Sequence, residues 1–169
     1  MGTSFGSLLK TSDSKREGWL GRSESMIAIR REFVVEVPQE AAWRYLGQIE
    51  RWPSWAKHIK RVEVEPVGEL GPKSKGVIHL TNGVKSEFKM TEFNPYRNWK
   101  WVGPLFWLTI YYDHVFAPLD PRRTKLIWIV EAKGFGVSVL GRLFAKIYNR
   151  NLDKAIPLLI NEINAEKLG

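Results

Sequence analysis

Over residues 26–37 the apolar side chains fall on alternate positions: Ile27, Ile29, Phe33, Val35 and Val37, with Arg31 as one charged intruder. That period of two belongs to a half-buried strand. Pro38 ends the run. Residues 38–46 then read as a short helix, with proline in the first turn, Glu40 near the positive end of the backbone dipole, and Ala42, Trp43 and Leu46 on one face. A second short helical piece is expected over residues 49–59, carrying Trp52-Pro53-Ser54-Trp55. Beyond it the period of two returns and predicts strands over residues 60–66, 75–81, 84–93, 97–102, 105–117 and 124–133. Turn chemistry separates them. Asn82-Gly83 is a strong two-residue hairpin signal, and Asn94-Pro95, Gly103-Pro104 and Leu119-Asp120-Pro121 mark further reversals.

Successive short hairpins imply an antiparallel meander, which buries one face and needs a cover. The last segment supplies it. Val139, Leu140, Leu143, Phe144, Ile147, Tyr148, Leu152, Ile156, Leu159, Ile160 and Ile163 recur at helical spacing, so one amphipathic helix is expected over residues 138–168. Such a helix is roughly 45 Å long, enough to cross a sheet. Pro157 removes one ladder hydrogen bond and is expected to bend it near residues 153–157. The predicted architecture is therefore one α+β domain over residues 26–169, a curved sheet of about seven strands around a long helix, which suits a chain of 169 residues. Residues 1–25, rich in Gly, Ser and Thr without a sustained apolar period, are expected to form a flexible leader. Met1-Gly2 suggests a myristoylation site, but Gly6 stands where that motif wants Ser or Thr.

Composition narrows the function. Eight Trp and 12% aromatic residues give more ring surface than a small interior needs for closure, so some rings are expected to line a cavity. The absence of Cys excludes disulfides, thiolate metal sites and a Cys nucleophile, and fits a reducing, cytoplasmic setting. No stretch approaches the roughly 20 apolar residues of a membrane helix, and Leu8-Leu9 is too short for a signal peptide. A formal charge of +8 raises anionic membrane and nucleic acid as partners. The cations are scattered in short groups at element ends, however. Nucleic acid is therefore set aside, and peripheral membrane contact is kept as a secondary partner.

The order of strand, two short helices, antiparallel strands and long helix resembles the START-like helix-grip superfamily, in particular its polyketide cyclase/dehydrase and lipid-transport branch. Residues 37–43 leading into Ile49-Glu50-Arg51-Trp52-Pro53-Ser54-Trp55 are similar to that branch's opening. Met90-Thr91-Glu92-Phe93-Asn94-Pro95 and the hairpin through Phe116-Ala117-Pro118-Leu119-Asp120-Pro121 also fit. The resemblance implies a deep apolar cavity between sheet and helix. It does not select a reaction, because fold does not fix function.

Alternation along the strands nominates the cavity wall. The favoured inward set is Phe88, Met90 and Glu92; Trp99 and Trp101; Ile110, Tyr112, His114 and Phe116; and Leu126, Trp128 and Val130. Phe144 and Tyr148 face it from the helix. The opposite parity of the sixth strand, with Trp107, Tyr111 and Asp113, is the competing register. Glu92 and His114, as ionisable groups on an apolar face, are the candidate acid and base. The preferred, more ordinary account pairs Glu92 with Arg97 and gives His114 a backbone or water partner. His58, His79 and His114 are too dispersed to predict a metal site, and Gly134-Phe135-Gly136 lacks the Lys and hydroxyl of a phosphate loop. No cofactor is called for. The leading expectation is a binding or transport protein for a lipid, isoprenoid or aromatic polyketide-like molecule. The alternatives are a cyclase or dehydratase using the same cavity, and a basic surface module for anionic lipid or nucleic acid.

Overall fold

The structure is a computed structural model and describes residues 25–68 and 70–166. The expected leader lies outside the described residues, except that Ser25 begins the first strand. Seven antiparallel strands form one sheet: β1 (Ser25–Val35), β2 (Ile59–Glu65), β3 (Lys75–Leu80), β4 (Lys85–Asn94), β5 (Asn98–Leu105), β6 (Leu108–Asp120) and β7 (Arg123–Lys133). Their order is β1-β7-β6-β5-β4-β3-β2, so β2 to β7 are a continuous meander and β1 closes beside β7. Helix α1 (Gln39–Gly47) and a 3-10 turn (Ile49–Ser54) carry the chain from one sheet edge to the other. Helix α2 (Val137–Glu166) runs unbroken through Pro157 and packs chiefly along β1.

Local chemistry accounts for the turns. Gly83 takes φ +87° between β3 and β4, and the Asn82 side chain accepts from the Val84 amide. Gly103-Pro104, predicted as a reversal, lies inside β5 instead. A Cβ on Gly103 would sit 2.1 Å from the Glu87 carbonyl oxygen, so glycine there serves a close approach of neighbouring backbone. The chain reverses two residues later, at Phe106-Trp107, between the paired Leu105 and Leu108.

Two bulges change which side chains face inward. In β1 the register shifts between Ile27 and Ile29, leaving Ile27 64% exposed although it shares the apolar parity. In β4 it shifts between Met90 and Glu92, so Met90 is buried while Glu92 turns to the exposed face and Phe93 packs on the core.

Polar contacts tie the C-terminal part of α2 to the sheet and to α1. Arg31, the charged intruder of the first strand, reaches the Asp153 carboxylate. Glu162 Oε2 accepts from Tyr45 Oη at 2.7 Å and from Ser54 Oγ at 2.6 Å, and Asn164 Oδ1 accepts from the Glu36 amide at 2.8 Å. Leu152, Leu159 and Ile163 are buried beneath these anchors.

Candidate functional site

The inner face of the sheet carries a continuous net of aromatic rings. Strand pairing sets Trp99 and Trp128 opposite His114 from its two sides, and Trp101 opposite Tyr112 and Met90. The His114 imidazole stacks on Trp99 at 5.4 Å between centroids and lies 4.9 Å from Trp101 and 5.7 Å from Trp128. Phe88 extends the wall, 4.8 Å from Trp101. The predicted inward parity thus holds for Phe88, Met90, Trp99, Trp101, Ile110, His114, Phe116, Leu126, Trp128 and Val130, all buried, and for the half-buried Tyr112. Glu92 is the exception. The β4 bulge carries it outward, where Asn94 and Asn98 side-chain amides donate to Oε1 at 2.8 and 3.0 Å. Its expected partner Arg97 is not the group that holds it, and Glu92 and His114 do not form a pair. In the competing parity Trp107 is exposed and Asp113 meets Lys100 at 3.6 Å, as befits an outer face.

Helix α2 brings Phe144 and Tyr148 to the rim of this net. Their rings stack at 5.5 Å, and Tyr148 lies 6.1 Å from both Tyr112 and His58. Phe116 belongs to a second cluster, with Trp43 and Trp99 at 5.1 and 5.0 Å, under α1.

Sequence reasoning missed three contributors. Trp52 lies in the 3-10 turn and Trp55 caps its C-terminal end three residues on, and both rings reach the sheet: Trp52 sits 5.8 Å from His114 and Trp55 6.0 Å from Trp128. His58, considered only as a metal ligand, instead packs edge-on against Tyr148.

Electrostatics here are governed by burial. It pushes the His114 imidazole down to about 3, with the Trp99 backbone pulling the other way, and it also lowers His58. The Tyr148 phenol is pushed up to about 12, and burial together with the Tyr148 charge raises Tyr112 further. At ordinary pH these are a neutral imidazole and protonated phenols. They can donate or accept hydrogen bonds but hold no charge.

Hydrogen bonding is incomplete at this place. Trp52 Nε1 donates to the Leu46 carbonyl at 2.9 Å. By contrast the buried Nε1 of Trp55, Trp99 and Trp128 and Nδ1 of His114 have no hydrogen-bond partner among the described residues. An indole N–H can only donate, and leaving a buried donor unpaired costs about 1–3 kcal/mol. The three indole donors lie along one run of rings, from Trp55 through Trp128 and His114 to Trp99, and are suited to an acceptor, whereas the neutral imidazole has one N–H, engaged by the Trp99 backbone, and leaves Nδ1 as an acceptor. A cleft of about 500 Å³ between α1, the 3-10 turn and the β2–β3 connection reaches Trp43 and Trp99. Among the described residues no group of three His, Asp or Glu is placed to hold a metal, and no helix is long and apolar enough to cross a membrane.

The curved seven-stranded sheet gripping a long C-terminal helix, with aromatic side chains between them, defines a START-like helix-grip protein. Residues 26–156 match the family described as polyketide cyclase / dehydrase and lipid transport, and the chain belongs to that family. Among solved structures it is similar to the Zhui aromatase/cyclase from Streptomyces sp. R1128, with TM-score 0.64 and 13% identity over 83% of this chain and 94% of that one. It is also similar to a START superfamily protein from Mycobacterium smegmatis, with TM-score 0.61 and 15% identity over 83% and 98%. A norcoclaurine synthase mutant from Thalictrum flavum, solved with a transition-state analogue, aligns with TM-score 0.59 and 14% identity over 83% and 96%. At these identities the likeness establishes the fold. A search of curated proteins found no match.

Proposed function

We propose that this protein binds a predominantly apolar small molecule carrying a hydrogen-bond acceptor, held between the sheet and α2. The unpaired donors around His114 carry this reading. A core made only for stability would pair them, as Trp52 is paired, whereas a ligand oxygen lying among the indoles of Trp55, Trp99 and Trp128 would accept from more than one of them. The surrounding rings of Phe88, Trp101 and Tyr112 suit an aromatic, isoprenoid or lipid-like body, for which apolar burial of roughly 25 cal/mol per Å² supplies the affinity. Family membership supports ligand binding or cyclisation as the class of function.

Matched probes test this. Anthraquinone and anthracene share a ring skeleton, but only the first carries carbonyl acceptors. Anthraquinone is expected to quench tryptophan emission saturably, to raise the melting temperature, and to bind roughly tenfold more tightly than anthracene, the value of one hydrogen bond to an otherwise unpaired donor. Trp101→Ala is expected to weaken both probes by removing wall area. Equal affinity for the two probes would refute the acceptor role. Failure of these probes, together with fatty acids and isoprenoid alcohols, to bind at all would refute the site.

The unpaired Nδ1 of His114 favours one second reading, in which the same interior cyclises or dehydrates a reactive polyketide-like chain. A neutral imidazole with a low pKa can relay a proton without holding a charge, while Tyr112 and Tyr148 orient carbonyls as donors. Turnover of a poly-β-ketone analogue, lost in His114→Leu with binding retained, is the expected sign. Binding without turnover leaves the carrier reading.

A further inference from the structure

Far from the aromatic interior's anchored end, three exposed apolar features adjoin. The β5–β6 turn presents Phe106 and Trp107, 79% and 67% exposed. The β7–α2 connection presents Phe135, 85% exposed, and the two are joined because Trp107 Nε1 donates to the Phe135 carbonyl at 3.0 Å. One turn further, Val139, Leu143 and Ile147 form an exposed stripe at four-residue spacing, 77%, 55% and 56% exposed. Beside the stripe stand Arg142, Lys146 and Arg150, all exposed and without an acidic partner among the described residues. From Val137 to Leu152 the helix contains no acidic residue.

The turn itself points to a surface function. Phe106 takes φ +54° in a two-residue hairpin connection, a conformation that favours glycine and that a bulky side chain rarely adopts. A hairpin selected for stability would place Gly here. An aromatic ring held in that conformation, with four-fifths of its surface in solvent, is retained at a cost to the hairpin.

We propose that the tip formed by Phe106, Trp107 and Phe135, with the outer face of the N-terminal half of α2, docks on an anionic lipid bilayer. Aromatic rings at the tip suit the interfacial layer, the aliphatic stripe enters the acyl boundary, and the adjoining cations meet the headgroups. A nucleic acid would be served by the cations but not by six exposed apolar side chains. The helix orientation also matters. Leu140, Phe144 and Tyr148, next to the stripe on the same helix, border the aromatic interior, so docking sets that rim close to the lipid. The inference does not depend on what the interior binds.

Flotation of the full-length protein with phosphatidylcholine vesicles, with and without one-third phosphatidylserine, tests the proposal. Binding to the anionic vesicles is expected, weakening as salt rises. Phe106→Gly relieves the turn, so it should hold or raise the melting temperature while reducing vesicle binding. Combined with Trp107→Ser, it should reduce binding by roughly tenfold or more. Arg142→Glu with Lys146→Glu should give a comparable loss and a flatter salt dependence. Absence of binding to anionic vesicles overturns the proposal, as does binding unaffected by the Phe106 and Trp107 changes. So would a duplex oligonucleotide bound more tightly than vesicles and lost only on charge reversal, or a concentration-dependent dimer dissolved by Leu143→Glu.

Discussion

A chain ending before Ile147 is expected to have no cooperatively folded state. The remaining sheet would keep its hairpins but lose Leu152, Ala155, Leu159 and Ile163, each 2% exposed or less, from over its inner face. Fully burying a Leu or Ile side chain stabilises by about 1.5–3 kcal/mol, so the three large ones alone contribute roughly 4.5–9 kcal/mol, against a total stability of about 5–15 kcal/mol for an ordinary domain. The truncation also removes Asp153, Glu162 and Asn164, the α2 partners of Arg31, Tyr45 and the Glu36 amide. Loss of near-ultraviolet dichroism and of a sigmoidal melt is the expected result, and a monomeric truncation that melts cooperatively would sink the two-layer architecture. Within the intact chain, Leu159→Ala at a wholly buried position is expected to cost about 2–5 kcal/mol without abolishing folding.

The same dependence of sheet on helix explains why so much of the architecture was legible in the sequence. A sheet with one buried face writes its register as a period of two, and a covering helix writes its own as a period near four; the first survives in β5 to β7 and in β4 as far as Met90, the second in α2. What escaped was aperiodic. The extra residue in β4 between Met90 and Glu92 has no compositional mark, and it reverses the direction of every later side chain in that strand, which is why Glu92 was placed inside. Gly103-Pro104 misled for the opposite reason. Its composition is that of a turn, but the glycine answers to the Glu87 backbone rather than to a reversal. The true reversal uses Phe106-Trp107, two residues that no turn preference would nominate.

For the candidate site, strand parity located the wall, while the lid came from elsewhere in the chain. Trp52 lies in, and Trp55 just after, a 3-10 turn whose direction relative to the sheet is set by the packing of α1, including the Trp52 bond to Leu46 and the Glu162 bonds to Tyr45 and Ser54. No local period contains that information. Nor could composition show that three indole donors would be buried without partners in the rings around His114. That property arises only when β5, β6, β7 and the 3-10 turn converge on His114.

This convergence has a consequence for stability against pH. In the folded protein the His114 imidazole is held at about 3 by burial among Trp52, Trp99, Trp101 and Trp128, whereas its ordinary value is 6.5. Between those two values the unfolded chain takes up a proton that the folded chain refuses, so stability rises with pH across this window. Its contribution is fully present above about pH 6.5 and is lost progressively as pH falls toward about 3, at up to about 1.4 kcal/mol per pH unit. Acidification to about pH 4.5 is therefore expected to remove on the order of 2–3 kcal/mol through His114. His58, also lowered by burial, acts in the same direction. The exposed Glu63 and Asp120 carboxylates, lowered by His79 and by the Arg122 backbone respectively, lose their partners' support only at more acid pH. Urea melts of the parent protein and of His114→Leu across this range separate the terms. The parent should lose stability steeply, while the variant, which has no imidazole to protonate at this position, should show a shallower slope even if it is less stable at neutral pH. Parallel slopes would mean that His114 is not the buried proton acceptor, and a flat parent curve would mean that its surroundings admit the charged form.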